Sequence, residues 1–221
     1  MTEYKIRPAK IDDIDFIVEA IIAAEKGGSN KLSYTSIFGL SEIDTKKYIK
    51  KMLEEEVDGC ELSISSYLVV ECYDEQVAAM GAWIEGCENG VSSSMIKGNL
   101  LGYTLPIETF IKAKKISHIV SELSIEYIPD SLCIGIVYVK ENFRGKNLVR
   151  VLLEEQIMIA LQNREKIDTY IQVFGNNIPA IKAYKKLGFK EFEIINSEND
   201  KVLNYLPSKK KILLIKENQK E

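Results

Sequence analysis

The spacing of apolar and polar residues predicts alternating strands and helices along most of the chain. Residues 4–7 alternate in type and stop at a proline, which indicates a short edge strand because proline donates no ladder hydrogen bond. Over residues 14–24, apolar positions recur at spacings of three and four behind two acidic residues, so a helix is expected. Residues 41–56 form a second helical pattern, with Ser41 or Asp44 as its cap.

The middle of the chain predicts a hairpin and a buried central strand. Residues 67–73 and 77–84 have the composition of two antiparallel strands joined by a turn at 74–76. Residues 132–139 are a near-continuous apolar run, which is typical of a strand covered on both faces. Residues 148–161 follow as an amphipathic helix.

A long segment at residues 87–131 separates the hairpin from the central strand. Its glycines and serines indicate a loop, followed by a helix that starts after Pro106. Residues 118–128 fit both the helix and the strand pattern, so that stretch stays undecided. Connections this long are uncommon unless they serve as lids or binding loops.

The last third of the chain continues the alternation. Residues 168–174 predict a strand and residues 177–187 a helix closed by Gly188, and further strands are expected at 191–195 and 212–216. The order of elements predicts one domain over residues 1–221, of mixed α/β class, with helices on both faces of the sheet.

Composition and charge narrow the class of protein. The 221 residues are 46% hydrophobic, which is enough to bury a core, and 29 Lys and Arg against 33 Asp and Glu give a net charge of −4. This balance lacks the basic excess of a nucleic-acid binder. The sequence has no signal-peptide core and no stretch of 18 apolar residues, so we expect a cytoplasmic protein without a membrane partner. A basic run at residues 209–211 predicts a hairpin turn.

Cysteine and histidine usage argues against metal and nucleophile chemistry. Cys60, Cys72, Cys87 and Cys133 show no CxxC spacing and lie in apolar surroundings, so we expect buried, reduced thiols. His118 is the single histidine, which leaves little for a metal site or a Ser-His-Asp triad.

Two segments carry candidate chemistry. Residues 137–149 run from the buried strand through a short basic turn into a helix, so unpaired N–H groups and a positive dipole end point at one spot that suits phosphate. Arg144 and Lys146 add positive charge there. Residues 177–189 begin a helix after the next strand, with Asn177 as a reasonable cap.

Together the two segments resemble the signatures of the GCN5-related N-acetyltransferases (GNAT), which transfer an acetyl group from acetyl-CoA to an amine. Residues 143–149 are similar to that family's cofactor loop, Arg or Gln, two residues, Gly, one residue, then Gly or Ala. Residues 177–189 are similar to its second signature, an Asn followed by a helix reading A-x-x-x-Y-x-K-L-G-F. Asn147 and Val149 stand where the family has two small residues. Asn is the mildest replacement if that position needs a left-handed conformation.

The resemblance implies roles for individual residues. Tyr184 would protonate the departing CoA thiolate, and Asn177 would hydrogen-bond the pantetheine arm. The backbone of the central strand would face the acetyl group and pantetheine, and the loop would surround the pyrophosphate. The cofactor-binding residues are then Val137, Val139, Arg144, Gly145, Lys146, Asn147, Leu148, Val149 and Asn177.

The chemistry of that assignment is coherent. A thiol has a pKa of ~8.5 and a tyrosine ~10, so a phenol can donate a hydrogen bond or a proton as thiolate develops. An acceptor amine must also lose a proton, and the sequence leaves the base open among Glu122, Glu126, Asp130 and Tyr138.

The sequence therefore predicts a GNAT fold, with the insertion at about 87–131 before the central strand and a central strand pair that diverges at Val139. The expected function is acetyl transfer from acetyl-CoA to a primary amine of a small molecule by direct attack, without a metal. The alternatives are a protein or peptide N-acetyltransferase and a CoA-binding sensor domain without turnover. The expected partners are acetyl-CoA and an amine acceptor, and the sequence leaves open whether the chain forms a homodimer.

Overall fold

A computed structural model describes residues 4–86 and 89–219. Seven strands form one sheet in the order β1-β2-β3-β4-β5-β7-β6, in which only β4 and β5 are parallel. The strands are β1 (Tyr4–Pro8), β2 (Tyr67–Cys72), β3 (Glu75–Ile84), β4 (Leu132–Val139), β5 (Lys166–Phe174), β6 (Lys190–Asn196) and β7 (Lys210–Gln219). This mixed sheet confirms the predicted fold class.

Helices cover both faces of the sheet. They are α1 (Ile14–Glu25), α2 (Ser33–Phe38), α3 (Glu42–Leu53), α4 (Ser93–Thr104), α5 (Ile107–Val120), α6 (Leu148–Leu161) and α7 (Ile178–Lys186). Because side chains alternate along a strand, Ala79 of β3 packs with α1 on one face, and Ala78 packs with α6 on the other. The sheet therefore separates two hydrophobic cores.

Most predicted elements are confirmed, and the hairpin turn is corrected. Strand β4 and helix α6 have the predicted bounds, and the hydroxyl of Ser41 caps α3 by accepting from the Asp44 N–H at 3.0 Å. The predicted turn at 74–76 was wrong, because Glu75 already begins β3. The turn consists of Tyr73 and Asp74, both with positive φ (50° and 63°), as two-residue hairpins favour.

The insertion contains a helix that the sequence did not indicate. The predicted loop after residue 90 is instead helix α4, whose N-terminus is capped by the Ser92 hydroxyl accepting from the Met95 N–H at 3.3 Å. Gly98 and Gly102 lie within this helix and obscured its pattern. Residues 118–128 complete α5, form a short 3-10 turn and then run extended without joining the sheet. Cys87, where the predicted insertion begins, lies outside the described residues.

The prediction for three of the cysteines is confirmed, and the turn predicted near the C-terminus is not. Cys60, Cys72 and Cys133 are buried free thiols as expected, and the prediction for Cys87 lies outside the described part of the chain. The turn predicted at residues 209–211 was wrong, because Lys210 and Lys211 begin β7 and pair with β6.

A buried ion pair fixes the sheet edge to α1. Asp13 is 1% exposed, and its two carboxylate oxygens accept from the Arg7 guanidinium at 2.6 and 2.9 Å. Arg7 Nε also donates to Glu71 of β2 at 2.8 Å. Burial alone would raise the pKa of Asp13, but hydrogen bonds from Arg7, the Lys10 N–H and Gln76 lower it below its ordinary value.

Candidate active site

A slot opens in the sheet where β4 and β5 part. The two strands pair only from Leu132 to Ile134, opposite residues 169–171, so the rest of β4 is bonded to β3 alone. The divergence therefore begins after Ile134, and its predicted position at Val139 was wrong. Gly135 causes the early departure, because Gly81 pairs with Ile136 and Ala82 with Ile134, which leaves Gly135 as the extra residue of a β-bulge.

Glycine at 135 is required by Trp83. A Cβ at this position would lie 2.6 Å from the Trp83 ring, far inside a normal carbon contact of about 3.5–4.0 Å. The ring is held in place because its Nε1 donates to Glu85 at 3.1 Å and Tyr127 packs edge-on at 5.8 Å between centroids. Trp83 was predicted to be core or pocket wall, and it is both, since it is 6% exposed and borders the slot.

The start of α6 presents an array of free backbone donors. In the part of the chain that the structure describes, the N–H groups of residues 145–150 donate to no protein acceptor. Gly145 and Asn147 both adopt positive φ, 76° and 65°. Such alternation of backbone conformation turns successive N–H groups toward one point, and the helix dipole adds positive potential there. Asn147 thus takes the left-handed conformation for which Asn is a tolerated replacement.

A cavity of about 1090 Å³ extends from this loop through the slot to the α1 face of the sheet. The predicted site residues that border it are Val137, Val139, Arg144, Gly145, Asn147, Leu148, Val149, Asn177 and Tyr184. Lys146 is not among the bordering residues, because its ammonium lies over the Phe143 ring, 4.5 Å from the centroid. The structure therefore brings nine of the ten predicted residues around one space.

Asn177 and Tyr184 hold the far wall of the slot. The Asn177 side chain caps α7 by accepting from the Ala180 N–H at 3.4 Å. Tyr184 lies about two turns further along α7 and packs edge-on against Phe189, with centroids 6.0 Å apart. Burial raises the pKa of Tyr184 above its ordinary value. Its phenol therefore stays protonated throughout the physiological range.

The half of the cavity on the α1 face is lined by charged groups that sequence reasoning missed. Lys97 of α4 forms an ion pair with Glu61, and its ammonium lies 5.5 Å from the Tyr34 ring centroid. Glu25 at the end of α1 and Lys211 of β7 border the same space. These four charged residues come from distant segments, so no motif in the sequence indicates that they lie together. The sequence predicted a loop at Lys97 and a turn at Lys211.

Burial and neighbouring charges shift the pKa values of this cluster. Burial raises the pKa of Glu25. Burial would also raise that of Glu61, but the Lys97 ammonium lowers it below its ordinary value. Burial lowers the pKa of Lys211 to about 8, and repulsion from Lys97 adds to this shift. Lys97 and Glu61 therefore form a charged pair, and Lys211, whose pKa stays above 7, remains mainly an ammonium at neutral pH.

The four candidate bases separate by position. Glu126 and Tyr138 border the cavity. Glu122 instead accepts hydrogen bonds from the Ser197 hydroxyl at 2.5 Å and the Asn199 amide at 2.8 Å, away from the cavity. Asp130 has positive φ in the turn before β4 and does not border the cavity.

Within residues 4–86 and 89–219, no helix is long and apolar enough to cross a membrane. The same residues contain no group of three or more His, Cys, Asp or Glu side chains placed to hold a metal ion. His118 lies in the last turn of α5, apart from the cavity.

Comparison with known proteins identifies the architecture. The profile of the Acetyltransferase (GNAT) family matches residues 65–189, more than half of the chain. An N-acetyltransferase from Staphylococcus aureus Mu50 superposes with a TM-score of 0.63 at 18% identity, over 96% of this chain and 100% of that one. No curated protein sequence matches.

Two other solved structures share the fold at lower identity. The Drosophila melanogaster polyamine N-acetyltransferase, which forms N-acetylagmatine, has a TM-score of 0.57 at 11% identity, over 98% of this chain and 100% of that one. A histone acetyltransferase HPA2 and related acetyltransferase from Corynebacterium glutamicum has a TM-score of 0.58 at 14% identity, over 98% and 96%. At these identities the likeness concerns the fold alone.

Proposed function

The chain belongs to the GNAT family of acetyltransferases and is an acyltransferase, and from this premise we propose that it transfers the acetyl group of acetyl-CoA to a primary amine of a small molecule. The observation that carries the proposal is the row of free N–H groups at residues 145–150, which opens into the slot between β4 and β5. A diphosphate suits the first feature and an extended thioester arm the second.

The residues present fit acetyl-CoA. Nothing lies within 4 Å of the position a Cβ would take on Gly145, so a phosphate has open access to the backbone there. Arg144 adds charge at the same place. The edge of β4 beyond its pairing with β5 offers the backbone groups of Val137 and the N–H of Val139 to an amide-containing arm, while the Val139 carbonyl accepts from Arg144 Nε at 3.4 Å. Asn177 borders the opposite side.

The proposed reaction is a direct attack. The amine nitrogen bonds to the thioester carbonyl carbon, the carbon–sulfur bond breaks, and the sulfur leaves as thiolate. Because burial lifts the pKa of Tyr184 further above the ~8.5 of a thiol, full proton transfer to the sulfur is uphill. Tyr184 therefore acts by donating a hydrogen bond to the developing thiolate. The amine gives up its proton to Glu126 or to water in the cavity.

We assign the insertion to the acceptor side, within one domain that spans the chain. Ser93, Ser94 and Lys97 of α4 and residues 124–127 border the cavity on the α1 face. A wall of this kind favours a small acceptor over a protein chain. Replacing Ser94 by Trp would narrow that half, so acceptor turnover is expected to fall while acetyl-CoA affinity stays within about twofold.

Thiol release tests the proposal directly. Acetyl-CoA is incubated with the protein and a panel of small amines, amino acids and peptides, and free CoA is detected with a thiol reagent. Release that depends on a small amine supports the proposal. Release with peptides alone identifies a peptide acetyltransferase. Calorimetric binding of acetyl-CoA without release for any acceptor identifies a sensor domain, and both results refute the proposed function.

A further inference from the structure

The acceptor half of the cavity carries charged groups of both signs. Lys97 and Glu61 neutralise each other as an ion pair. The other charged side chains on this side are Lys211, Glu126 and Glu25, and burial raises the pKa of Glu25. A polycationic acceptor would therefore meet an ammonium as well as a carboxylate and would gain little net attraction.

Among the described residues of the acceptor half, Lys211 is the cation without an ion-pair partner. Its ammonium lies 5.8 Å from the Phe174 ring centroid at the cavity wall, and it forms no ion pair with any described carboxylate. Charged groups face it from each neighbouring part of the wall, Glu25 from α1, Glu61 from the segment before β2, Lys97 from α4 and Glu126 from residues 124–128. A half-buried ammonium that lacks an ion pair is destabilised unless an anion reaches it.

We propose that the acceptor amine carries a carboxylate, as an α-amino acid or related zwitterion does, and that Lys211 binds this carboxylate. The inference rests on the proposed acetyl transfer and names its substrate class. The charges of a zwitterion are complementary to those of the cavity wall, because its carboxylate pairs with Lys211 and its amine nitrogen faces Glu126. The pairing also orients the substrate, since a molecule held by its carboxylate has less orientational freedom and its amine stays close to the thioester.

Matched pairs of acceptors test the proposal. Arginine is compared with agmatine, ornithine with putrescine, and tyrosine with tyramine, each pair differing by the carboxylate alone. The ratio of kcat/KM within a pair, corrected for the fraction of unprotonated amine, isolates the contribution of that carboxylate. A charge-assisted hydrogen bond predicts a preference of about 10- to 150-fold for at least one amino acid over its decarboxylated partner.

Substitutions locate the effect at one side chain. Lys211→Met removes the ammonium at similar length, and the preference ratio is expected to fall at least tenfold through KM, while Lys211→Arg keeps most of it. Lys210→Met is the matched control, because Lys210 precedes Lys211 in β7 but covers Gly175 and does not border the cavity. This variant should keep the wild-type ratio. Calorimetry of acetyl-CoA should give the same affinity for all three variants.

The outcomes distinguish failure of the proposed acetyl transfer from failure of the proposed role of Lys211. If no amine of any class releases CoA, the proposed acetyl transfer fails and the substrate class fails with it. If decarboxylated amines are used as well as or better than their amino acids, acetyl transfer stands and the role of Lys211 is refuted. A preference that Lys211→Met leaves intact, or that Lys210→Met abolishes equally, also refutes the role of Lys211.

Discussion

The bulge at Gly135 can be tested by a single methyl group. In Gly135→Ala the new Cβ would lie 2.6 Å from one Trp83 ring carbon, 2.7 Å from a second and 3.1 Å from Glu61 Cβ. The nearest contact is about 1 Å too short for two carbons. The ring cannot yield freely, because its Nε1 is bonded to Glu85 and Tyr127 packs on it.

The cost follows from these contacts. Overpacking of this kind costs about 1–3 kcal/mol. If Trp83 moves far enough to lose its hydrogen bond to Glu85, about 1 kcal/mol is added. We therefore expect Gly135→Ala to lower the free energy of unfolding by about 2–4 kcal/mol, and Tm by roughly 4 to 16 °C for a chain of this size.

Gly98→Ala is the matched control. Gly98 lies in helix α4, where an added Cβ meets nothing within 4 Å. The same chemical change should there raise stability by about 0.5–1 kcal/mol, because alanine favours a helix interior. Urea unfolding followed by far-UV circular dichroism measures both variants. Trp83 is the sole tryptophan, so only Gly135→Ala should shift the emission maximum. Equal or greater stability of Gly135→Ala than of wild type would refute the placement of the ring over Gly135.

Three further predictions concern the site and the sheet edge. Tyr184→Phe should lower kcat by about 10²-fold or more with unchanged calorimetric affinity for acetyl-CoA, and wild-type kcat within twofold would contradict a role for the phenol. Asn147→Gly should bind acetyl-CoA as tightly as wild type. Asn147→Val forces a branched residue to the positive φ of 65° and should weaken acetyl-CoA binding about 5- to 30-fold. Equal affinities of the two variants would contradict the geometry of the loop. Arg7→Met leaves the carboxylate of Asp13 buried and unpaired, so the free energy of unfolding should fall by about 3 kcal/mol. Because the pKa of Asp13 is lowered in the folded wild type, its contribution is complete above the unfolded pKa of ~3.9 and is lost as pH falls through the folded value. Chemical unfolding between pH 3 and 7 should show this loss in wild type and not in Arg7→Met.

The elements with strong local signals were predictable from the sequence. Strand β4 is a continuous apolar run and α6 has a clean helical stripe, so both bounds follow from local pattern. Helix α4 was missed because Gly98 and Gly102 lie on its exposed side, where they lower local helix propensity but cost no packing. Its stability comes from burying Leu100 and neighbouring apolar residues in the α1 core, which a local pattern does not reveal.

The candidate site also contains residues that local motifs predict and residues that only the tertiary structure brings together. The run from β4 into the loop at residues 143–149 and the segment at 177–189 are contiguous motifs, so nine of the ten predicted site residues border one cavity. Glu25, Glu61, Lys97 and Lys211 meet only through tertiary structure, since they come from α1, a loop, the insertion and β7. Their mutual charges are not visible until the chain is folded, which is why sequence reasoning left the acceptor and the base open.

The bulge gives the two halves of the cavity separate physical origins. Because Gly135 turns β4 away from β5, the space crosses the sheet instead of lying on one face of it. Its α6 side is built mainly from backbone groups, which tolerate side-chain change as long as Gly145 and Asn147 keep positive φ. Its α1 side is built from side chains of the insertion and β7, where one substitution changes the charge pattern. Changes at Lys211 should therefore alter which amine is used without altering acetyl-CoA affinity, whereas changes at Asn147 should do the reverse.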